Sequence, residues 1–295
     1  MTTDILEIKY RPKTFDEFIS YNDTNMDFIN DIISYININP YELPNLLLHG
    51  TPGTGKTTLA NIIINSLNAD YIYLNASDNR GVGDMRVIVR EFVATKAMNS
   101  KVPKIVFFDE ADGLTADAQN LLRGLMENYS SNSIFILTCN NINKIIPPLQ
   151  SRCKMYHAKT PDIDMILKRL KFICDAEAIS YTDDKLKQYI DVYYPDMRKM
   201  IQNLRNMDSA ENIVNKVNEI YNHIIECRTD KCLKHSLIYD KTLNHRIIMK
   251  QLFDKMESSM SYANVKIFAE ADYRMSVGST PEIQFVWLIQ ELIKR

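Results

Sequence analysis

The stretch His49-Gly50-Thr51-Pro52-Gly53-Thr54-Gly55-Lys56-Thr57-Thr58, or HGTPGTGKTT, follows the apolar run 46–48. It matches the pattern G-x-x-x-x-G-K-[S/T], in which backbone N–H groups surround phosphates at the N-terminus of a helix. In this interpretation Lys56 places a cation on the β- and γ-phosphates, and the Thr57 hydroxyl is a ligand for Mg²⁺. The alternative is a chance glycine-rich turn. A strand before the loop and a helix after it favour a nucleotide site that includes Pro52, Gly53, Thr54, Gly55 and Thr58.

Four apolar runs in residues 44–155 are candidates for buried strands. They are LPNLLLHG, ADYIYLNAS, PKIVFFDEAD and NSIFILTCNN, and helical patterns such as TTLANIIINSLN separate them. Alternating strands and helices predict an α/β fold, with a parallel sheet covered by helices on both faces. Ligands of such sheets bind at the carboxyl ends of the strands, and each of these runs ends in small or polar residues.

Polar residues at two of these strand ends predict the second half of the nucleotide site. The run at 105–108 ends in Asp109 and Glu110. Asp109 suits Mg²⁺ through water, and Glu110 suits orienting or deprotonating an attacking water. Asn140, at the end of FILTCN, is a candidate to hold that water or to sense the γ-phosphate, although an Asn at a strand end is commonly a turn residue. The alternative for the acidic pair is a solvated strand end.

After about residue 156 the strand signals stop. Apolar residues at 163, 166, 167, 170 and 173 have a helical period. Thr182 and Asp196 are candidate N-caps of two further helices. The last helix is expected to begin at Thr280-Pro281 and is apolar nearly all round, so it must be buried in its own domain or against a partner subunit. We divide the chain into 1–157, 158–228 and 229–295.

Composition excludes several classes of protein. The chain is 45% hydrophobic and 24% charged with a net charge of −2, so no overall basic field draws it to nucleic acid. It has no apolar run of about 18 residues, and its first residues, MTTDILEIKYRPK, lack an apolar secretory core. These features predict a cytoplasmic protein.

The five cysteines are irregularly spaced, which is typical of reduced thiols. His223, Cys227, Cys232 and His235 place four zinc-type side chains in a short span, HIIECRTDKCLKH. No C-x-x-C or H-x-x-x-H pair accompanies them, so an ordinary pair of helices is favoured over a metal site.

Five further motifs resemble those of the ATPase subunit of sliding-clamp loaders, in the AAA+ class. They are KYRPKTFDEFI at 9–19, NASDNRG at 75–81, DEAD at 109–112, PPLQSRC at 147–153 and PDMRKMIQNL at 195–204. They occur in the family's order and spacing over nearly the whole chain. The resemblance implies that residues 1–157 form an AAA+ core, 158–228 a helical lid and 229–295 a helical collar that holds subunits together.

Two kinds of relative fit the resemblance: the small subunit of cellular replication factor C and the corresponding subunit of T-even-type phages. Cellular members usually read closer to PGDLR where this chain has YPDMR at 194–198, without a glycine. The ending TPEIQFVWLIQEL also resembles the phage form, so a phage origin is favoured.

The resemblance also implies roles for individual residues. Arg198 on the lid helix touches the phosphates of its own subunit, and Arg152 reaches the γ-phosphate bound by the neighbouring subunit. The alternative for Arg152 is a solvated loop arginine. Arg123 is a weaker candidate to face the neighbouring site. An adenine pocket is implied at Glu7, Ile8, Lys9, Tyr10 and Ile19.

A basic helix near residue 85 is the candidate DNA contact. Arg86 and Arg90 are four residues apart and share a helix face, and Arg80 precedes that helix in a glycine-containing turn. Such groups track DNA phosphates without reading bases. The alternative, a solvated basic face, stays open for Arg90. By resemblance, Arg80 restrains Glu110 until DNA arrives, so Arg80→Ala is expected to raise ATP hydrolysis without DNA.

The implied activity is ATP- and Mg²⁺-dependent loading of a sliding clamp onto primer–template DNA during replication. The implied partners are further copies of the chain, a different clamp-loader subunit, the clamp and the DNA, with no membrane. Three alternatives remain: another AAA+ motor such as a junction helicase or helicase loader, a structural subunit that binds nucleotide without hydrolysing it, and a small-molecule kinase.

Overall fold

The computed structural model describes residues 5–18, 23–76, 82–95, 97, 99, 101–159, 162–225, 245–257 and 260–293. The chain forms two compact units. The first comprises Met1–Ile173 with Pro195–Gln202, and the second comprises Cys174–Tyr194 with Asn203–Arg295. Among the described residues, no helix is both long and apolar enough to span a membrane.

A five-stranded parallel sheet lies at the centre of the first unit. Its strands are β1 (Leu46–His49), β2 (Tyr71–Asn75), β3 (Lys104–Asp109), β4 (Ser133–Cys139) and β5 (Lys154–His157), in the order β2-β3-β4-β1-β5. All four neighbouring pairs are parallel. The predicted parallel sheet is therefore confirmed, and β5 is an additional edge strand that the sequence pattern did not indicate.

The helices follow in chain order. They are α1 (Leu6–Lys9), α2 (Asp23–Ile38), α3 (Lys56–Leu67), α4 (Val82–Ala94), α5 (Ala116–Asn128), α6 (Pro147–Gln150), α7 (Ile163–Ala176), α8 (Asp183–Tyr193), α9 (Met197–Asn203), α10 (Asp208–Ile225), α11 (His245–Met256), α12 (Tyr262–Ser276) and α13 (Pro281–Ile293).

Helices cover both faces of the sheet because successive strand side chains point to opposite sides. Leu46 and Leu48 of β1 belong to the hydrophobic core that α2 and α3 complete. Leu47, between them, belongs to the core that α4 and α5 complete. The sheet therefore has a hydrophobic core on each face. The residues that follow its strands are attached to well-packed strands.

The second unit is helical in its described residues. Thr182 caps α8, since its side chain accepts a hydrogen bond from the Lys185 N–H. At α9, in the first unit, Asp196 accepts one from the Lys199 N–H at 3.1 Å. Both predicted caps are confirmed. α13 begins at Pro281 as expected, and it buries one face while Ile283 remains 62% exposed.

Candidate active site

The phosphate loop connects β1 to α3, and glycine is required at its tightest points. Gly50, Gly53 and Gly55 have φ angles of +147°, +81° and +89°, which side-chain-bearing residues rarely adopt. A Cβ on Gly50 would lie 2.4 Å from the carbonyl oxygen of Ala158. The Gly50 N–H also donates to the Cys139 carbonyl at 3.3 Å. The start of the loop is therefore packed against the ends of β4 and β5, with no space for a side chain at Gly50.

Lys56 is held inside this loop. Its Nζ donates to the carbonyl oxygens of Gly50 at 2.9 Å and Thr51 at 2.8 Å. Burial lowers the pKa of Lys56, and the negative charge of Asp109 is among the effects that oppose it. A positive loop with a fixed ammonium and glycine backbone is the arrangement that accepts phosphates.

Three hydroxyl groups converge on the carboxylate of Asp109, at the end of β3. The Thr57 hydroxyl donates to Oδ1 at 3.0 Å and Oδ2 at 3.2 Å. The Tyr73 hydroxyl donates to Oδ2 at 3.2 Å, and the Thr138 hydroxyl donates to Oδ1. A Thr hydroxyl facing a carboxylate supplies the hard oxygen atoms that Mg²⁺ prefers. The residues present therefore fit a nucleotide with Mg²⁺.

Glu110, the next residue, has an unusual backbone. Its φ and ψ are 56° and 41°, the left-handed region, in which a non-glycine residue costs on the order of 1–3 kcal/mol. Its N–H donates to the Thr138 hydroxyl at 3.1 Å. The carboxylate of Asp112 accepts from the N–H groups of Asn140 at 3.3 Å and Asn141 at 3.2 Å. These contacts tie the ends of β3 and β4 together.

An open cleft of about 1040 Å³ gathers most of the predicted nucleotide and catalytic residues. Predicted residues that line it are Glu7, Pro52, Gly53, Gly55, Lys56, Thr57, Thr58, Asp109, Glu110, Asn140 and Arg198. Sequence reasoning missed five others: Arg11, Tyr73, Asn75, Thr138 and Cys139. Thr54 is buried and does not line the cleft; its hydroxyl donates to the Thr51 carbonyl at 2.8 Å and so shapes the loop.

A more apolar pocket, open to solvent, shares the loop residues and extends to α1 and α9. Of the candidates for the adenine pocket, Glu7 and Tyr10 line it, whereas Ile8 and Lys9 do not. The reason is helical geometry, since residues three apart share a face and those between them point elsewhere. Ile19 lies outside the described residues. Lining residues that were not predicted are Arg11, Pro12, Phe18, Arg169, Met197 and Ile201.

Arg152 is not among the residues that line either cavity. Its Nη1 donates to the Pro148 carbonyl at 2.9 Å, and its Nη2 forms an ion pair with Glu127. On α5, the Nε of Arg123 is buried and has no hydrogen-bond partner within the described part of the chain.

The predicted DNA contacts, and the His and Cys residues considered as a metal site, lie partly outside the described residues. Arg86 and Arg90 are exposed on α4, whereas Arg80 is outside the described ranges. Also outside the described ranges are Cys227, Cys232, His235 and the side chain of His223. Within the ranges that are described, no group of three or more His, Cys, Asp or Glu side chains is arranged to hold a metal ion.

Comparisons with known proteins agree with this geometry. A model of the family described as "ATPase family associated with various cellular activities" matches residues 46–160. The replication factor C small subunit of Archaeoglobus fulgidus is 33% identical over 303 residues, covering 94% of this chain and 93% of the relative. Replication factor C small subunit 1 of Pyrobaculum arsenaticum is 31% identical, covering 96% of this chain and 92% of the relative.

Solved structures show the same fold. The Thermotoga maritima RuvB Holliday junction branch migration motor matches with a TM-score of 0.55 and covers 91% of this chain and 80% of that one. Its sequence identity is 17%, so the likeness concerns the fold alone.

Proposed function

The chain belongs to the replication factor C small subunits, with an AAA-type ATPase domain, and from this membership we propose that it loads a ring-shaped sliding clamp onto primer–template DNA at the expense of ATP. Its proposed partners are further copies of itself, a different clamp-loader subunit, the clamp and DNA. We propose a phage origin and action in the cytoplasm of a bacterial host, as the YPDMR and C-terminal patterns favour.

One observation carries the proposal. The cleft contains a phosphate loop and a carboxylate facing its threonine, whereas Arg152 lies outside the cleft lining, paired with Glu127. A site of this kind is equipped to bind the nucleotide, and the arginine proposed to stabilise charge in the transition state, Arg152, is not part of its own subunit's cleft. Supply of Arg152 by a neighbouring subunit makes hydrolysis depend on assembly, which is what a loader needs.

Each residue then has a distinct role. Lys56 binds the phosphates, Thr57 and Asp109 hold Mg²⁺, and Glu110 orients or deprotonates the attacking water. A Mg²⁺ ion held by Thr57 and Asp109 would neutralise negative charge on the phosphates. Asn140, which lines the same cleft as Glu110, holds the water or senses the γ-phosphate, and Arg198 contacts the phosphates from the same subunit.

The remaining parts of the chain transmit the state of the nucleotide. Arg86 and Arg90 on the exposed face of α4 contact the DNA backbone. We assign the ATPase core to residues 1–157, the lid to 158–228 and the collar that joins subunits to 229–295. Hydrolysis weakens the contacts between subunits, and the clamp closes on DNA.

The test is steady-state ATP hydrolysis by the chain co-expressed with the products of its neighbouring genes. Turnover is measured without DNA, with primer–template DNA, and with DNA plus the cognate clamp. We expect strong stimulation by DNA and clamp together. Arg152→Ala is expected to reduce turnover at least 1000-fold while ATP binding is retained, since fingers supplied in trans contribute about 10³–10⁵ to kcat.

Glu127→Ala is the matched control, because it removes the same ion pair and keeps the arginine. It should retain stimulated turnover. Equal loss in both variants would mean that the ion pair, and not a finger in trans, matters. Turnover that ignores DNA and clamp would favour another AAA+ motor, and absence of turnover with intact binding would favour a structural subunit.

A further inference from the structure

The hydroxyl of Thr138 makes two hydrogen bonds at the centre of the site. Thr138 lies on β4 and is 1% exposed. Its Oγ1 accepts from the Glu110 N–H at 3.1 Å and donates to Oδ1 of Asp109. A hydroxyl has one proton to donate, so the direction of both bonds is fixed. One buried side chain thereby contacts the Asp109 carboxylate and the Glu110 backbone, at the end of β3.

Tyr73 approaches the same carboxylate from the other side of β3. It lies on β2, pairs in register with Phe107, and donates from its hydroxyl to Oδ2 of Asp109 at 3.2 Å. Its ring packs edge-on against Phe107 at 5.3 Å.

The third donor, Thr57, differs from Thr138 and Tyr73 because its hydroxyl has a second expected partner, the metal ion. Thr57 lies in the first turn of α3, and its hydroxyl is the one expected to bind Mg²⁺. An oxygen that coordinates a cation no longer needs the carboxylate as its main partner. Thr138 and Tyr73 come from the strands that flank β3 and have no such second task. They can hold the carboxylate before and after the ion arrives.

We propose that Thr138 and Tyr73 are positioning residues that orient the Asp109 carboxylate for Mg²⁺, and that Thr138 also fixes the left-handed backbone of Glu110. This rests on the nucleotide site in the proposed function and does not require clamp or DNA. Partners that orient a metal ligand typically change metal affinity or activity by about 10–100-fold when they are removed. The left-handed backbone of Glu110 also needs support, because without it a non-glycine residue relaxes to a commoner conformation.

The test compares hydroxyl-removing and hydroxyl-keeping variants. Thr138→Val removes the hydroxyl from a side chain of similar shape, and Thr138→Ser keeps it. Tyr73→Phe is matched by Tyr71→Phe, two residues earlier on the same face of β2. Binding of a fluorescent ATP analogue to the full chain is measured over a range of free Mg²⁺ and again in excess chelator.

We expect Thr138→Val to raise the half-saturating Mg²⁺ concentration about 10–100-fold, and Tyr73→Phe to raise it by a smaller factor. Thr138→Ser and Tyr71→Phe should stay within about threefold of the parent, and affinity in chelator should be unchanged in every variant. In the assembled ATPase at saturating Mg²⁺, Thr138→Val should lower kcat while leaving KM for ATP unchanged, because Glu110 is displaced.

An unchanged Mg²⁺ requirement in both Thr138→Val and Tyr73→Phe would overturn the proposal. Equal weakening of binding with and without Mg²⁺ would also overturn it, since that is the effect of a merely structural residue. If Thr138→Val does not fold, Tyr73→Phe decides alone, because its hydroxyl lies at the rim of the cleft. Failure of DNA and clamp to stimulate turnover would refute the loader assignment and leave these binding results standing.

Discussion

The substitution Gly53→Ala tests whether the phosphate loop needs a residue without a side chain. Gly53 has φ +81°, and the left-handed conformation costs an L-residue roughly 1–2 kcal/mol. The added Cβ would also lie 2.2 Å from Oδ1 of Asp196 and 3.0 Å from its Cα. That Oδ1 caps α9 through the Lys199 N–H, and loss of such a cap costs about 0.5–2 kcal/mol. Together the two effects predict a loss of roughly 1.5–4 kcal/mol in the free energy of unfolding.

The measurement is amide hydrogen exchange of peptides that cover β1, β3 and β4, which reports the opening free energy of the first unit. Gly124→Ala is the matched control. Gly124 lies within α5, and a Cβ there would have no neighbour within 4 Å. Alanine in that place is expected to stabilise the unit by about 0.5–1 kcal/mol, because glycine is a poor helix former. Both substitutions replace glycine with alanine, yet their changes in the opening free energy should have opposite signs.

A small effect of Gly53→Ala on the opening free energy would contradict this prediction. If Gly53→Ala changes the opening free energy by less than about 0.5 kcal/mol, the left-handed strain and the clash with Asp196 are both absent in solution. A loss in Gly124→Ala as large as that in Gly53→Ala would show that the measurement responds to any added methyl group. Nucleotide affinity, measured on the same samples, is expected to fall only in Gly53→Ala.

The other predictions concern thiols and DNA. Burial raises the pKa of Cys139 and of Cys153 to about 12 and that of Cys174 to about 11, so thiolate is scarce at pH 8. The folded chain should therefore resist alkylation by iodoacetamide at these positions until urea is added. Rapid labelling of the folded chain in peptide maps would contradict this. Arg90→Ala should reduce the magnitude of the slope of log affinity for primed DNA against log salt concentration by about 0.9, whereas Lys187→Ala, at an exposed position on α8, should not change it. Equal slopes for parent and Arg90→Ala would assign Arg90 to an ordinary solvated face.

Strands β1 to β4 could be predicted because each contains a short apolar run with small or polar residues at its end. The strand β5 could not. It has four residues, of which only Tyr156 is buried, and its place in the sheet comes from pairing with β1. A strand on the edge of a sheet needs no apolar run, so its sequence, KMYH, contains little signal.

The site also contains residues that a local sequence pattern predicts and residues that only the fold brings together. Lys56, Thr57, Asp109 and Glu110 follow a local pattern, and the cleft brings them together. Thr138 is 28 residues from Glu110, and its contact depends on the pairing of β3 with β4. Before that pairing is known, Thr138 is only one more polar residue in an apolar strand. Likewise, Glu7 lines the pocket and Ile8 does not, and this difference can be predicted only once α1 is known to be a helix.

The strand order has a consequence for synthesis of the chain. β1 is made first but lies between β4 and β5, and its partners for Leu46 are Ile136 and Lys154. Contacts this distant in sequence form slowly, because a long loop must close before any pairing is gained. On the ribosome, the loop after β1 lacks part of its packing surface until Ala158 has emerged, since Gly50 contacts Ala158 as well as the end of β4. Nascent chains shorter than this hold the complete phosphate-binding motif and should still be unable to retain nucleotide.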